Sequence, residues 1–189
     1  MPTFNPLAID GVIEVVPDKF GDDRGWFSEV YNATVYKANG IDADFVQDNH
    51  SFSRQVGVLR GLHYQLPPFD QAKLVRVVSG SVFDVAVDIR KGSPTYGKWV
   101  GIELSAEKWN QLYLPAGFAH GFVTLEPDTQ FLYKVSALYS RDHDRSIRFD
   151  DPDIGIEWPV DIASVILSQK DKDAALLAET DTGFTYSKD

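Results

Sequence analysis

The feature that most constrains the fold is a succession of short segments rich in Val, Ile, Leu and aromatic residues, each bounded by Gly, Pro, Asp, Asn or Ser. Branched and aromatic side chains fit a pleated, half-buried surface, so these segments favour β-strands over helices. The predicted strands are Ile13–Val16, Trp26–Tyr31, Leu74–Val78, Ser81–Asp88, Trp99–Leu104, Gln111–Leu114, His120–Thr124 and Gln130–Val135. Helical periodicity is weak, and helices are predicted only at Ala33–Asn39 and Lys172–Glu179. This pattern predicts an all-β sandwich or barrel, and with no repeat or linker we expect one domain over residues 1–189.

The clearest local signal is Ser79-Gly80 between two β-branched runs, which predicts a β-hairpin. In the second run of this hairpin, successive side chains point to opposite faces. One face is fully apolar, whereas the other carries Asp84 and Asp88 beside small residues. We expect this second face either to line a ligand cavity or to face solvent.

Composition excludes several function classes. The chain has 18 Lys and Arg against 28 Asp and Glu, a formal net charge of −10, so nucleic acid and anionic membranes are not expected partners. A few inward-pointing Arg and Lys side chains could still bind a small anion. There is no cysteine, which excludes disulfides and thiolate chemistry. Without a visible signal peptide or a membrane-length apolar run, we expect a cytoplasmic protein.

Two of the four histidines lie in informative motifs. Pro115 and His120 belong to a Pro-x-Gly-x-x-His segment that resembles the second signature of the cupin superfamily. Metal-binding cupins add a His-x-His motif and a downstream Glu. The corresponding segment here is His63-Tyr64-Gln65, with Gln65 in place of the second His, so we expect no metal.

Matching segments along the chain from Pro17 to Asp171 extend the resemblance to one family. The segments are Asp22–Glu29, Gln47–Ser51, Arg60–Gln65, Lys73–Gly80, Pro115–His120 and Asp150–Asp153. Together they resemble the dTDP-4-dehydrorhamnose 3,5-epimerase family. The resemblance implies a cupin-type double-stranded β-helix jelly-roll barrel with short helical or irregular peripheral segments. It also implies a C-terminal segment, residues 161–189, folded back onto the barrel, and a homodimer that needs no cofactor.

The activity implied by the resemblance is inversion of carbons 3 and 5 of dTDP-4-dehydro-6-deoxyglucose, within dTDP-rhamnose synthesis for cell-surface polysaccharide. Each inversion requires a base on one face of the sugar, an acid on the other, and a donor for the enolate oxygen. The resemblance assigns the base to His63 paired with Asp171, and the acid to Tyr133. Lys73 is expected to stabilise the enolate, and His120 to donate to the substrate.

The resemblance also implies a set of substrate-binding residues. Arg24 and Arg60 suit the diphosphate, because guanidinium pairs well with phosphate oxygens. Tyr139 is expected to stack on thymine. The remaining predicted contacts are Glu29, Gln47, Asp48 and Asn49 to thymidine, with Asp144 and Lys170 as further ligand contacts.

Considered singly, these residues have ordinary explanations. Tyr133 could be a core tyrosine, Lys73 a solvated charge, and Asp171 a helix cap, a role that competes with a contact to His63. Two other functions also stay open. One is a related sugar-nucleotide enzyme, in particular an epimerase that inverts a single carbon. The other is a non-catalytic cupin binding module or a metal-dependent cupin oxygenase.

Overall fold

The structure is a computed structural model that describes residues 1–187, so the last two residues of the predicted C-terminal segment lie outside it. The strands are β1 (Thr3–Pro6), β2 (Ile13–Val16), β3 (Phe20–Asp22), β4 (Gly25–Phe27), β5 (Gln47–Ser53), β6 (Leu59–Gln65), β7 (Lys73–Ser79), β8 (Ser81–Asp88), β9 (Trp99–Ser105), β10 (Gln111–Leu114), β11 (Phe118–Thr124), β12 (Thr129–Val135) and β13 (Asp144–Ser146). The helical elements are α1 (Ala33–Ala38), α2 (Gln169–Lys172) and the 3-10 turns Ile162–Ser164 and Leu177–Glu179. No helix within residues 1–187 has the length and apolar character needed to cross a membrane.

Two large antiparallel sheets form the body of the molecule. The six-stranded sheet has the order β1-β2-β10-β7-β12-β5, and the five-stranded sheet has the order β13-β6-β11-β8-β9. Apolar side chains from both sheets pack into one cluster, which includes Val75 and Phe131 from the first sheet and Val82 and Phe118 from the second. The prediction of an all-β, cupin-type jelly roll is confirmed.

The predicted hairpin at Ser79-Gly80 is wrong. Strand β7 pairs with β10 and β12, whereas β8 pairs with β9 and β11, so this connection carries the chain from one sheet to the other. Gly80 has a positive φ of 76°, and a Cβ there would lie 2.3 Å from Thr129 Oγ1. Glycine is therefore required by the crossing itself, and the same residue type would have suited a hairpin equally well.

The first predicted helix is present, since α1 begins after Asn32, whose side chain accepts hydrogen bonds from the backbone of Thr34 and Val35. The second, Lys172–Glu179, is wrong as a continuous helix, because α2 ends at Lys172 and only the 3-10 turn Leu177–Glu179 follows. Ala175 instead forms a bridge with Ile147, and the backbone N–H of Leu177 donates to Asp151 Oδ2 at 2.7 Å. Docking against the barrel overrides the helical preference of this Ala- and Leu-rich segment.

The carboxylate-bearing face of β8 lines the interior. Asp84 and Asp88 are both completely buried. Asp88 accepts hydrogen bonds from Arg90, Ser93 and Thr95, and it therefore holds the loop that follows the strand. Asp84 belongs to a different network and pairs with His120, a residue that lines the cavity described next.

Candidate active site

All five residues predicted to act in catalysis line one cavity of about 410 Å³. His63 and His120 lie opposite each other on β6 and β11 of the five-stranded sheet. Lys73 and Tyr133 come from β7 and β12 of the six-stranded sheet. Asp171 reaches the cavity from α2. The two sheets therefore contribute different functional groups to a shared space.

A close approach of two strands sets the position of the histidine pair. Gly61 has a φ of 134°, and a Cβ built on it would lie 2.5 Å from Gly121 Cα. A Cβ on Gly121 would in turn lie 2.9 Å from Arg60 O. The pairing of β6 and β11 shifts register beside this contact, between His120 and Phe122. Two glycines in contact let the strands meet where the histidines project.

His63 and Asp171 form a short hydrogen bond, with Nε2 to Oδ1 at 2.5 Å. The carboxylate is an acceptor, so Nε2–H donates to it and the lone pair of Nδ1 is left for another proton. Burial lowers the pKa of His63 and outweighs the opposing effect of Asp171. Burial alone would raise the pKa of Asp171, but hydrogen bonds from His63 and Ser168 bring it below its usual value, so it stays ionised.

The segment before α2 brings Asp171 to the barrel. Ile166 N–H donates to Gly57 O at 2.8 Å, and Leu59 N–H donates to Ile166 O at 3.0 Å. Ser168 then caps α2: its Oγ accepts from Asp171 N–H at 3.2 Å and donates to Asp171 Oδ2 at 2.8 Å. Ser168 therefore caps the helix, and Oδ1 of Asp171 remains available to accept the hydrogen bond from His63.

A second imidazole–carboxylate pair joins His120, which lines the cavity, to Asp84, which is completely buried and does not line it. His120 Nε2 lies 2.9 and 3.0 Å from the two carboxylate oxygens of Asp84. Burial raises the pKa of Asp84, although His120 and Lys73 partly oppose this. Asp84 was not singled out from the sequence, and the only signal for it was its place on the carboxylate-bearing face of β8.

Lys73 is almost fully buried, and burial lowers its pKa to about 8 against the opposing charges of Asp84 and Asp144. Its Nζ donates to His63 O at 3.3 Å, so this side chain crosses from one sheet towards the other. Burial raises the pKa of Tyr133 and outweighs the effect of Arg60, so the phenol stays protonated at neutral pH. A cation and a neutral acid therefore share the cavity.

Four predicted ligand-binding residues also line this cavity: Arg60, Tyr139, Asp144 and Lys170. Lys170 Nζ pairs with Asp144 Oδ2 at 2.5 Å, and Tyr139 OH donates to the same oxygen at 3.3 Å. The Tyr139 side chain is nevertheless 59% exposed, at the mouth of the cavity. An exposed ring with a tethered hydroxyl suits stacking against a flat ligand.

The other predicted binding residues lie outside this cavity within residues 1–187. Arg24 pairs with Asp22 and its side chain is 90% exposed, while Glu29 accepts from Asn32. Two more, Asp48 and Asn49, line a separate cavity of about 210 Å³. The last, Gln47, contacts the mouth of the main cavity by accepting from Tyr139 N–H at 3.1 Å.

Comparison with known proteins identifies the family. The model of the dTDP-4-dehydrorhamnose 3,5-epimerase family matches residues 6–179. The chain belongs to this epimerase family. It is therefore an enzyme of the isomerase class.

Individual relatives of this epimerase agree in length and fold. A dTDP-4-dehydrorhamnose 3,5-epimerase of Sinorhizobium fredii is 54% identical over 185 residues, which are 98% of this chain and 94% of the relative. A dTDP-6-deoxy-D-glucose-3,5-epimerase of Legionella pneumophila, solved in complex with dTDP-4-keto-L-rhamnose, superposes with a TM-score of 0.94 at 44% identity and 100% coverage of both chains. A 3′-monoepimerase of Streptomyces bikiniensis, solved with dTDP-quinovose, has a TM-score of 0.85 at 38% identity, over 92% of this chain and 87% of the other.

The position where metal-binding cupins carry their second histidine has another use in this epimerase. Gln65 is buried, and its amide bonds to backbone groups of two loops. Within residues 1–187, no three His, Cys, Asp or Glu side chains cluster closely enough to hold a metal ion. The two cavity histidines are each paired with an aspartate instead.

Proposed function

We propose that the chain inverts carbons 3 and 5 of dTDP-4-dehydro-6-deoxyglucose to give dTDP-4-dehydrorhamnose, a step towards the rhamnose of cell-surface polysaccharide. In this proposal His63 is the base, Tyr133 is the acid, and Lys73 stabilises the enolate. Base, acid and cation are all side chains, so the reaction needs no cofactor or metal ion.

One observation carries the proposal: His63 and Tyr133 enter the same cavity from opposite sheets. A sugar ring held between the sheets would present one face to the imidazole and the other to the phenol. Inversion of a carbon requires removal of a proton from one face and its return to the other. Two facing sheets supply that arrangement.

The proton transfers follow from the state of each group. Nδ1 of His63 takes the proton from the carbon beside the ketone, and the electron pair moves onto the ketone oxygen. The Lys73 ammonium and the His120 side chain stabilise the resulting enolate oxygen. Tyr133 then protonates the carbon from the other face, and exchange with solvent restores both residues before the second carbon reacts.

The proposal also includes a homodimer. Arg24 is separated from the cavity of its own chain, whose described lining contains Arg60 as its single arginine, and a second guanidinium would add another bidentate contact to a diphosphate. The hairpin of β3 and β4 that carries Arg24 also exposes the large apolar side chains of Phe20, Trp26 and Phe27. Exposed aromatic side chains around a ligand-binding residue support pairing with a second copy, whose cavity this Arg24 would reach.

Proton NMR of the dTDP-linked 4-keto-6-deoxyglucose in heavy water tests the function. We expect deuterium at both carbon 3 and carbon 5, together with inversion of both centres. Chelator-treated enzyme should give the same result. If the protein is folded and binds dTDP but one of the two carbons takes up no deuterium, the proposal is contradicted.

The single-carbon epimerase remains the second candidate, because the similar Streptomyces bikiniensis structure is described as a 3′-monoepimerase. The same spectra separate the two functions. A monoepimerase would give an inverted product at one carbon only, with the configuration of the other retained.

A further inference from the structure

Gln65 lies on β6 and its side chain is only 3% exposed. Its Nε2 donates to Phe69 O at 2.6 Å and to Leu138 O at 3.2 Å. Its Oε1 accepts from Ser140 N–H at 2.7 Å. Both polar atoms of this buried amide are thus bonded to loop backbone.

Two of these three hydrogen bonds flank a single residue. Leu138 and Ser140 are the neighbours of Tyr139, so Gln65 holds the backbone on both sides of it. Gln47 adds a bond to Tyr139 N–H at 3.1 Å. The ring of Tyr139 is exposed at the mouth of the cavity while its backbone is fixed from beneath.

An exposed aromatic ring on a loose loop must be ordered when a ligand stacks on it, and this ordering weakens binding. A ring whose backbone is already fixed avoids that loss. The buried amide is suited to this role because water has little access to replace its hydrogen bonds.

We propose that Gln65 is a positioning residue that preorganises Tyr139 to stack on the nucleobase of the substrate. This inference rests on the proposed function, which assigns Tyr139 to that contact. It gives a use to the β6 position at which metal-binding cupins place a metal ligand. Gln65 also lines the main cavity, but its amide is bonded to loop backbone, so it acts on the nucleotide end of the substrate through Tyr139.

The test compares Gln65→Leu and Gln65→Glu with Tyr139→Ala, using calorimetry with dTDP and with inorganic pyrophosphate. The Leu variant removes all three hydrogen bonds, and the Glu variant keeps the shape but not the donors. Base–aromatic stacking is worth about 1–3 kcal/mol, so we expect Tyr139→Ala to weaken dTDP binding roughly 10-fold. Both Gln65 variants should weaken dTDP binding by a large part of that factor. Pyrophosphate has no base, and its affinity should not change.

Kinetics and a double mutant separate positioning from general damage. The Gln65 variants should raise KM and leave kcat near the wild-type value. Adding Gln65→Leu to Tyr139→Ala should weaken dTDP binding no further, because Gln65 acts through the ring. Gln130→Leu is the matched control: this glutamine bonds His50 outside the cavity, and its replacement should leave dTDP affinity unchanged.

Each result has a defined meaning. Unchanged dTDP affinity in both Gln65 variants, or equal losses for dTDP and pyrophosphate, would overturn the role of Gln65. An additive loss in the double mutant would also overturn it. If Tyr139→Ala itself binds dTDP normally, the proposed placement of the nucleobase fails instead.

Discussion

Burial changes the pKa values of three cavity residues in directions that suit proton transfer. It lowers those of His63 and Lys73 and raises that of Tyr133. A neutral imidazole can accept a proton, and a neutral phenol can donate one. Because the pKa of Lys73 is lowered to about 8, we expect the proposed enolate stabiliser to lose its charge at mildly alkaline pH.

Replacing Tyr133 with Phe should separate proton removal from inversion. His63 and Lys73 remain in this variant, so the enolate still forms and His63 can return a proton to the same face. We expect deuterium uptake from heavy water with little inverted product, measured by NMR. Tyr113→Phe, at a buried tyrosine of β10 outside the cavity, is the control and should invert normally. A Tyr133→Phe enzyme that inverts both centres at nearly the wild-type rate would exclude this residue as the acid.

The pH profile of kcat/KM should be bell-shaped, since this parameter reports groups of the free enzyme. On the acid side, activity falls when His63 is protonated, and its lowered pKa places this limb below about pH 6.5. On the alkaline side, activity falls as Lys73 loses its proton near pH 8. In Lys73→Met most of the activity and the alkaline limb should both be lost. An alkaline limb near pH 10 would assign that side of the profile to another group.

At the scale of elements, the contact between Gly61 and Gly121 leaves no room for a side chain at Gly61. Gly61→Ala adds a Cβ at positive φ and against the backbone of β11, so we expect a loss of about 2–4 kcal/mol in the free energy of unfolding. Gly92→Ala is the matched control, because Gly92 also has a positive φ, 85°, but a Cβ there meets no atom within 4 Å. It should cost only about 1 kcal/mol. Equal losses in urea unfolding would mean that the strand contact is not what requires glycine.

Several strand positions could be predicted from the sequence, but their partners could not. The predicted strand Trp26–Tyr31 ends at Phe27, and β5 and β6 were not predicted as strands. Residues Gln111–Leu114 and Ile13–Val16 were placed correctly, because alternation and turn residues are local signals. The Ser79-Gly80 hairpin failed because a glycine turn looks the same whether the chain returns to its own sheet or crosses to the other. The helix at Lys172–Glu179 failed because contacts with distant residues decide its conformation.

Some residues of the candidate site could be predicted from the sequence, and others could not. The resemblance to a known family supplied His63, Lys73 and Tyr133, whose residue types alone were equally consistent with surface or core positions. Asp84 carries no motif of its own, and its pairing with His120 depends on the register of β8 against β11. Such a partner becomes visible only when the two strands are placed side by side.

For the whole molecule, the proposed homodimer predicts that Arg24 acts on the partner's cavity. Arg24→Ala should weaken dTDP binding about 10-fold by calorimetry, since a charge-assisted hydrogen bond contributes roughly 1.5–3 kcal/mol. Arg54→Ala removes another exposed arginine, outside the cavity, and should bind dTDP normally.

Mixing two variants tests the exchange directly. Heterodimers of Arg24→Ala and His63→Asn chains contain one cavity with His63 and with Arg24 from the other chain. Activity in the mixture should exceed that of either variant alone. If mixing restores nothing while heterodimers form, each Arg24 serves its own chain or no cavity at all.

The remote pairing of the strands has a consequence for how quickly the enzyme becomes active. The His63–Asp171 hydrogen bond joins residues 108 positions apart, and β5 pairs with β12 across most of the barrel sequence. Chains dominated by such non-local pairings fold slowly, typically in milliseconds to seconds, because long loops must close before any contact stabilises them. Stopped-flow refolding should therefore show dTDP binding recovering no earlier than the tryptophan fluorescence of the barrel. The ability to bind substrate would then measure completion of the fold, since no smaller part of the chain contains both halves of the site.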